Sequence, residues 1–225
     1  MTRPVALFDL DGTLVESGPG IVTNIRHAMS LLGHPLHPLA DLTWVVGPPL
    51  RDIFARLLTE AAPGLAAELV EEATELYRAS YDTVGLLEAA AYPDMPAALA
   101  AFAADGWHLF VATSKPASVA RRILTNIGLQ DRFAAIYGSV EDGALAHKPE
   151  LLGYMAATLG LRPGHTIMVG DRSFDIAGAH ANQLRAVGVL WGYGDRAELE
   201  QAGADALAER PEQLLSLAAG LLHGG

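Results

Sequence analysis

Hydrophobic positions change their period along the chain, and the changes divide it. Val5-Ala6-Leu7-Phe8 is an uninterrupted apolar run ending at Asp9, the pattern of a central strand covered on both faces. After Ser17-Gly18-Pro19-Gly20 the period becomes helical, with Ile21, Ile25, Ala28, Met29 and Leu32 on one face before Gly33. A segment from Asp41 to Val46 stops at Gly47-Pro48-Pro49, and Leu50 to Leu58 resumes as helix. Leu65, Leu69, Ala73, Leu76 and Tyr77 predict a third helix. Between Ser17 and about Leu86 no segment reads as a strand.

From there helices and strands alternate. Asp94 is placed to cap a helix with Pro96 in its first turn, and Trp107 to Ala112 reads as a strand. Pro116 opens a helix carrying Val119, Ile123, Leu124 and Ile127 on one side. Strands at Ala134–Tyr137, Thr166–Val169 and Ala186–Leu190, and a last one near Asp205–Leu207, follow in turn. Between and after them come helices from Pro149 to about Leu159, from Phe174 to Asn182, and one containing Leu214, Ala218 and Leu221. This alternation predicts an α/β doubly wound core, a mostly parallel sheet with helices on both faces. The core would take residues 1–16 and 87–225, interrupted by an all-helical insertion over 17–86.

Composition narrows the function classes. The 225 residues are 51% hydrophobic and 18% charged, which is globular, and the formal net charge is −11. That balance argues against a nucleic-acid groove or an anionic membrane surface, both of which want clustered Lys and Arg. A small anionic substrate remains compatible, because a few local cations and a metal can hold one. Without cysteine, neither a disulfide nor a thiol nucleophile is available. The most apolar stretch, Leu86 to Ala104, contains Glu88, Pro93, Asp94 and Pro96, which defeats a membrane span. No signal-like stretch follows Arg3-Pro4, so a soluble cytoplasmic protein is expected, with monomer and homodimer both open.

Candidate chemistry sits where the predicted strands end. Asp9-Leu10-Asp11-Gly12-Thr13 follows the first strand, and ligands of open α/β sheets bind beyond such carboxyl ends. Extended geometry through Asp11 would put both carboxylates on one side. Two like charges that close call for a cation, a shared proton or a structural reason. Gly12 lets the chain turn and brings its backbone to a ligand. Thr113-Ser114-Lys115-Pro116 offers two hydroxyls and a lysine at a helix start, a ready anion site or an ordinary cap. In His147-Lys148-Pro149 a lysine precedes a helix-opening proline; alone it reads as a solvated charge, and His147 as structural or exposed. Asp171 and Asp175 stand one helical turn apart, either as a capping aspartate plus an exposed one or as partners around something positive. With Asp9 and Asp11 they make an oxygen-rich, cysteine-free set that favours Mg²⁺.

In this order the four motifs resemble those of the haloacid dehalogenase-like phosphatases, and the resemblance covers the whole chain. It implies that Asp9 is a nucleophile, Asp11 a general acid and base, Thr113 a phosphate-binding hydroxyl, and Lys148 the cation that neutralises nucleophile and phosphate. Ser114 and Lys115 are further candidates for the phosphate or the far end of the substrate. Asp9, the backbone carbonyl of Asp11 and Asp171 would bind Mg²⁺, with Asp175 supporting the site through water or by holding Lys148. Gly47-Pro48-Pro49-Leu50-Arg51 resembles the cap loop of the phosphoglycolate phosphatase-like branch. There Arg51 is a candidate for a substrate carboxylate or phosphate, or equally a surface arginine opening a helix. Together with this loop and Gly170-Asp171-Arg172, the run Gly188-Val189-Leu190-Trp191-Gly192-Tyr193-Gly194 resembles bacterial 5′-nucleotidase-like members. Trp191 or Tyr193 could stack on a base or simply fill the loop. The expected activity is Mg²⁺-dependent hydrolysis of a small phosphate ester, phosphoglycolate or a nucleoside 5′-monophosphate. A sugar phosphomutase is disfavoured by Thr13, and a non-catalytic binding protein would have no need of Asp11.

Overall fold

The computed structural model describes residues 3–140 and 143–223, so the expected core limits at 1 and 225 lie outside the described residues. The first apolar run is strand β1 (Val5–Phe8), with β4 (His108–Pro116) on one side and β6 (Thr166–Gly170) on the other. Beyond them lie β5 (Ala135–Ser139), β7 (Arg185–Val189) and β8 (Ala206–Ala208), giving the order β5-β4-β1-β6-β7-β8. Every pairing in this sheet is parallel. The alternation of side chains splits β1 between two cores. Ala6 and Phe8 join one with helices α4 (Met95–Ala104), α5 (Ala117–Asn126) and α9 (Leu214–His223). Leu7 joins the other with α6 (Lys148–Leu159) and α7 (Ser173–Ala181). All three side chains are fully buried, which is why the run contains no polar residue.

Three more helices, α1 (Gly18–Leu31), α2 (Leu50–Ala61) and α3 (Ala66–Tyr81), stand between two short strands, β2 (Val15–Glu16) and β3 (Ala90–Ala91). These strands are the two passages of the chain into and out of the helical insertion. They pair antiparallel, Val15 with Ala91 and Glu16 with Ala90. No strand occurs among the described residues from Ser17 to Leu86, as the helical periodicity predicts.

Three local expectations change. Asp94 stands at the α4 N-cap position but in the left-handed region, φ 62°, and its side chain caps nothing. The segment Asp41–Val46 is reduced to a single 3₁₀ turn at Thr43–Val45. Strand β4 does not stop at Ala112 but runs to Pro116, with a register shift against β5 between Thr113 and Pro116. A six-residue helix, α8 (Arg196–Gln201), was too short to show a period. Among the described residues, no helix is long and apolar enough to cross a membrane.

Candidate active site

Asp9 is the first residue beyond β1, and its backbone N–H still donates to Val169 of β6 at 2.9 Å. That bond holds the carboxylate at the middle of the sheet's carboxyl edge. Asp171 stands directly after β6, and Asp175 lies in the first turn of α7. The end of β6 and the start of α7 therefore supply two carboxylates to the same place. One oxygen each from Asp9, Asp171 and Asp175 lie within 4.8 Å of one another, and all three residues are buried. Lys148, at the start of α6, reaches into this group. Its Nζ lies 2.8 Å from Asp9 Oδ1 and 2.5 Å from Asp175 Oδ1, and it donates to the Ala112 carbonyl at 2.7 Å.

The charges do not balance. Burial pushes the Asp9 carboxyl up to about 7, with Lys148 opposing and Asp175 and Asp11 adding to the rise. Asp171 is driven up for the same reasons, first burial, then Asp175 and Asp9. Burial alone would lower Lys148, but Asp175 and Asp9 outweigh it and leave its affinity for a proton raised. Three buried carboxylates are thus gathered around one ammonium. A donor set made of oxygens alone, with more carboxylates than cations, fits a hard divalent cation.

Asp11 goes elsewhere. The strand ends at Phe8, so the alternation that would align the two aspartates is not sustained. Its Oδ1 accepts from Ser17 Oγ at 2.6 Å and lies 3.1 Å from Lys115 Nζ. Gly12 adopts φ +86° and donates its N–H to the Val15 carbonyl at 2.9 Å. The chain turns at Gly12, as its sequence position predicts. Glycine is required for another reason: a Cβ here would overlap Asp171 Oδ2 and the Tyr193 ring. Thr13, which the sequence supplied only as a mark of class, donates to Asp171 Oδ1 at 3.2 Å.

Thr113, Ser114 and Lys115 belong to the end of β4 rather than to a helix start, because α5 begins at Ala117. Thr113 is buried beside the carbonyl that receives Lys148, and its Oγ1 accepts from the Lys115 N–H at 3.2 Å. Lys115 Nζ donates to Tyr81 Oη of α3 at 2.8 Å, bridging Asp11 to the insertion. Burial would lower this ammonium, but Asp11 and then Tyr81 hold it above the usual lysine range.

A cavity of about 310 Å³ lies between this edge of the sheet and the insertion, with Asp11, Ser114, Lys115, Arg51, Arg78 and Tyr81 in its wall. Arg51 forms a two-pronged pair with Glu71 of α3, Nε to Oε1 at 2.6 Å and Nη2 to Oε2 at 2.9 Å. It borders the cavity while its fork is turned to a carboxylate of the protein. His147 is exposed and lies 3.8 Å from Asp52. The Trp191–Tyr193 stretch is absent from this wall. Trp191 Nε1 donates to the Thr13 carbonyl at 3.1 Å, and the Tyr193 N–H to Asp171 Oδ2 at 2.8 Å. The sequence left this loop between base stacking and filling; both aromatic side chains pack against the core, and the loop also supports Asp171. Sequence reasoning missed Ser17, for which an ordinary Ser-Gly-Pro turn gave no signal.

The chain aligns with known proteins over most of its length. It is 37% identical over 196 residues to a 5′-nucleotidase of Pseudomonas aeruginosa, covering 87% of this chain and 86% of that protein. It is 41% identical over 191 residues to the tyrosine-protein kinase PtkA of Mycobacterium tuberculosis, 84% of this chain but only 63% of that longer protein. A solved structure described as a predicted phosphatase from Clostridium acetobutylicum superposes with a TM-score of 0.87 at 32% identity, covering 99% of this chain and 100% of that one. Residues 6–189 match the family model described as haloacid dehalogenase-like hydrolase, a span that contains the whole carboxylate–lysine cluster, and the chain belongs to that family.

Proposed function

We propose that the chain is a Mg²⁺-dependent, cytoplasmic phosphatase that hydrolyses a small-molecule phosphomonoester through an aspartyl-phosphate. The observation that carries this reading is the separation of Asp9 from Asp11. Asp9 lies in the buried cluster with Lys148, Asp171 and Asp175, whereas Asp11 opens on the cavity. One carboxylate is set to attack and the other to handle a proton of the leaving group. When bound by Asp9, Asp171 and the Asp11 carbonyl, with Asp175 behind them, Mg²⁺ would offset charge between the nucleophile and the phosphate.

The steps assigned to the protein are these. Lys148 orients Asp9 and favours its ionised form against the effect of burial, while Thr113 donates to a phosphoryl oxygen, with Ser114 alongside. An Asp9 oxygen attacks phosphorus, the ester P–O bond breaks, and protonated Asp11 gives its proton to the departing oxygen. Asp11, now ionised, takes a proton from water as that water's oxygen attacks phosphorus. The Asp9–phosphorus bond breaks, and inorganic phosphate leaves. Ser17 and Lys115 hold the Asp11 carboxylate toward the cavity at 2.6 and 3.1 Å.

The insertion between β2 and β3 is proposed to be a separate cap domain over the site, the paired linkers marking its base. A cavity of about 310 Å³ suits a small ligand such as phosphoglycolate or a nucleoside 5′-monophosphate. The nucleotidase name of one relative supports the nucleotide. Phosphate release should be measured over nucleoside 5′-monophosphates, phosphoglycolate, sugar phosphates and p-nitrophenyl phosphate, with Mg²⁺ and with EDTA. Mg²⁺-dependent release that peaks on nucleotides is the expected result. No release from any ester by folded protein with Mg²⁺ bound overturns the reading. Isomerisation of a phosphosugar without net release would move the chain to the mutases.

A further inference from the structure

Tyr193 touches the site and the base of the insertion at once. Its backbone N–H donates to Asp171 Oδ2 at 2.8 Å, inside the carboxylate cluster. Its phenol donates to Glu16 Oε1 and accepts from the Gly18 N–H at 2.7 Å. Glu16 is the last residue of linker strand β2, and Gly18 is the first of α1. The other linker is engaged too, because Tyr92, directly after β3, reaches Glu16 Oε2 at 3.4 Å. One residue therefore joins a carboxylate of the candidate metal site, through its backbone, to the first linker, through its phenol, and Glu16 carries the connection on to Tyr92 at the second.

The surrounding backbone is shaped to deliver it. A Cβ on Gly192 would overlap Asp171 and the Gly12 carbonyl, and one on Gly194 would overlap the Asp171 carbonyl. A Cβ on Gly18 would come 2.5 Å from Tyr193 Oη. Glycines on both sides of the contact permit this approach, and Trp191 fixes the same loop to Thr13. Tyr193 is not among the residues that line the cavity.

We propose that Tyr193 is a positioning residue that couples occupancy of the Asp171 site to the arrangement of the two linkers. The inference rests on the metal reading of the cluster. A cation drawn to Asp171 fixes the carboxylate and, through the Tyr193 backbone, the ring; the phenol then holds Glu16 and Gly18. Thermodynamic reciprocity adds a second consequence: whatever Mg²⁺ does to the linkers, the linkers do to Mg²⁺ affinity by the same factor.

The test uses the full chain, with Mg²⁺ as the probe and no substrate. Calorimetry measures Mg²⁺ affinity, and amide hydrogen exchange follows residues 14–18 and 90–93 with and without the ion. Wild type is expected to show slower exchange in both linkers when Mg²⁺ binds. Tyr193→Phe keeps the ring and the backbone N–H but loses the phenolic bonds. It should lose roughly tenfold of that protection and weaken Mg²⁺ binding by a similar factor, the scale of one hydrogen bond to a charged group. Glu16→Ala should behave like Tyr193→Phe, whereas Glu16→Gln, which can still accept, should retain most of the effect. Wild type that binds Mg²⁺ with no change in the linkers overturns the coupling alone, as does Tyr193→Phe with wild-type protection. Absence of Mg²⁺ binding to folded wild type overturns the metal reading and the coupling together.

Discussion

The two sides of the cavity are built differently. On the sheet side, behind the wall formed by Asp11, Ser114 and Lys115, the residues Asp9, Lys148, Asp171 and Asp175 are buried, contact one another, and are held by backbone groups at strand ends and helix starts. On the insertion side, Arg51 and Glu71 meet as a surface pair, 33% and 61% exposed, between two helices. Burial makes the first wall stiff and its charges strong, and exposure leaves the second weakly tied. The difference suits a division of labour in which the sheet edge does chemistry common to many esters while the insertion chooses among them. Substitutions on each wall can test it.

The largest effect is expected from Asp9→Asn. Removing the nucleophile should lower turnover by at least roughly 10³-fold on every ester, with circular dichroism and thermal unfolding close to wild type. Near-wild-type phosphate release would remove Asp9 from its role and with it the distinction between the walls. Asp11→Asn comes next, with a loss of about 10²–10⁴-fold, the range of a general acid and base. The loss should be greatest for alkyl phosphates, whose leaving oxygen needs the proton, and least for p-nitrophenyl phosphate. An equal loss across leaving groups would sink the acid role and leave Asp11 as a positioning group.

The same division governs how much could be read from the sequence. Asp9 was legible from the strand end before it, whereas Lys148 and Asp171, which alone read as a solvated charge and a helix cap, stood out through the order of motifs that resembles the family. Their convergence then follows from the order of parallel strands. The helix start at Pro116 was legible, since Pro116 is the N-cap of α5, but the extended backbone of Thr113–Lys115 before it was not. Pairing with β5 carries the strand through a register shift as far as Pro116. Ser17 and Tyr193 act across the insertion boundary and across 22 residues to Asp171, where no periodicity points. Arg51 was left equally between a substrate contact and a surface arginine opening a helix, and its partner Glu71, 20 residues away on another helix, gave no signal. Long-range side-chain pairs between exposed helices leave no trace in hydrophobic pattern.

Gly12→Ala probes the stiff wall through packing alone. A left-handed φ of +86° and overlap with Asp171 and Tyr193 force the turn or the carboxylate to move. Displacing a reacting group by about 1 Å costs on the order of 10²-fold in rate, so turnover should fall by about that factor. Overpacking should also cost about 1–3 kcal/mol of stability, read by denaturant unfolding. A fully active, equally stable Gly12→Ala protein would mean that the sheet edge yields more readily than its burial implies.

The smallest effect belongs to the exposed wall. Arg51→Ala removes the fork to Glu71, and an exposed pair of this kind contributes about 0.2–1 kcal/mol, so unfolding should shift little. Arg51 also lines the cavity, where a substrate anion arriving beside it would compete with Glu71 for the guanidinium. Its loss should therefore raise KM for an anionic ester by roughly three- to tenfold, the value of a modest, partly solvated charge contact. With p-nitrophenyl phosphate, whose leaving group offers no second anion, kcat should stay within about twofold of wild type. Glu71→Ala sharpens the same point in the opposite direction, because removing this competitor for the guanidinium should lower KM for the anionic ester. If Arg51→Ala instead lowered kcat by about 10²-fold on every substrate, the insertion would be part of the chemistry. The two walls would then work as one unit, since a residue that only binds the leaving group changes KM before it changes the rate of bond breaking.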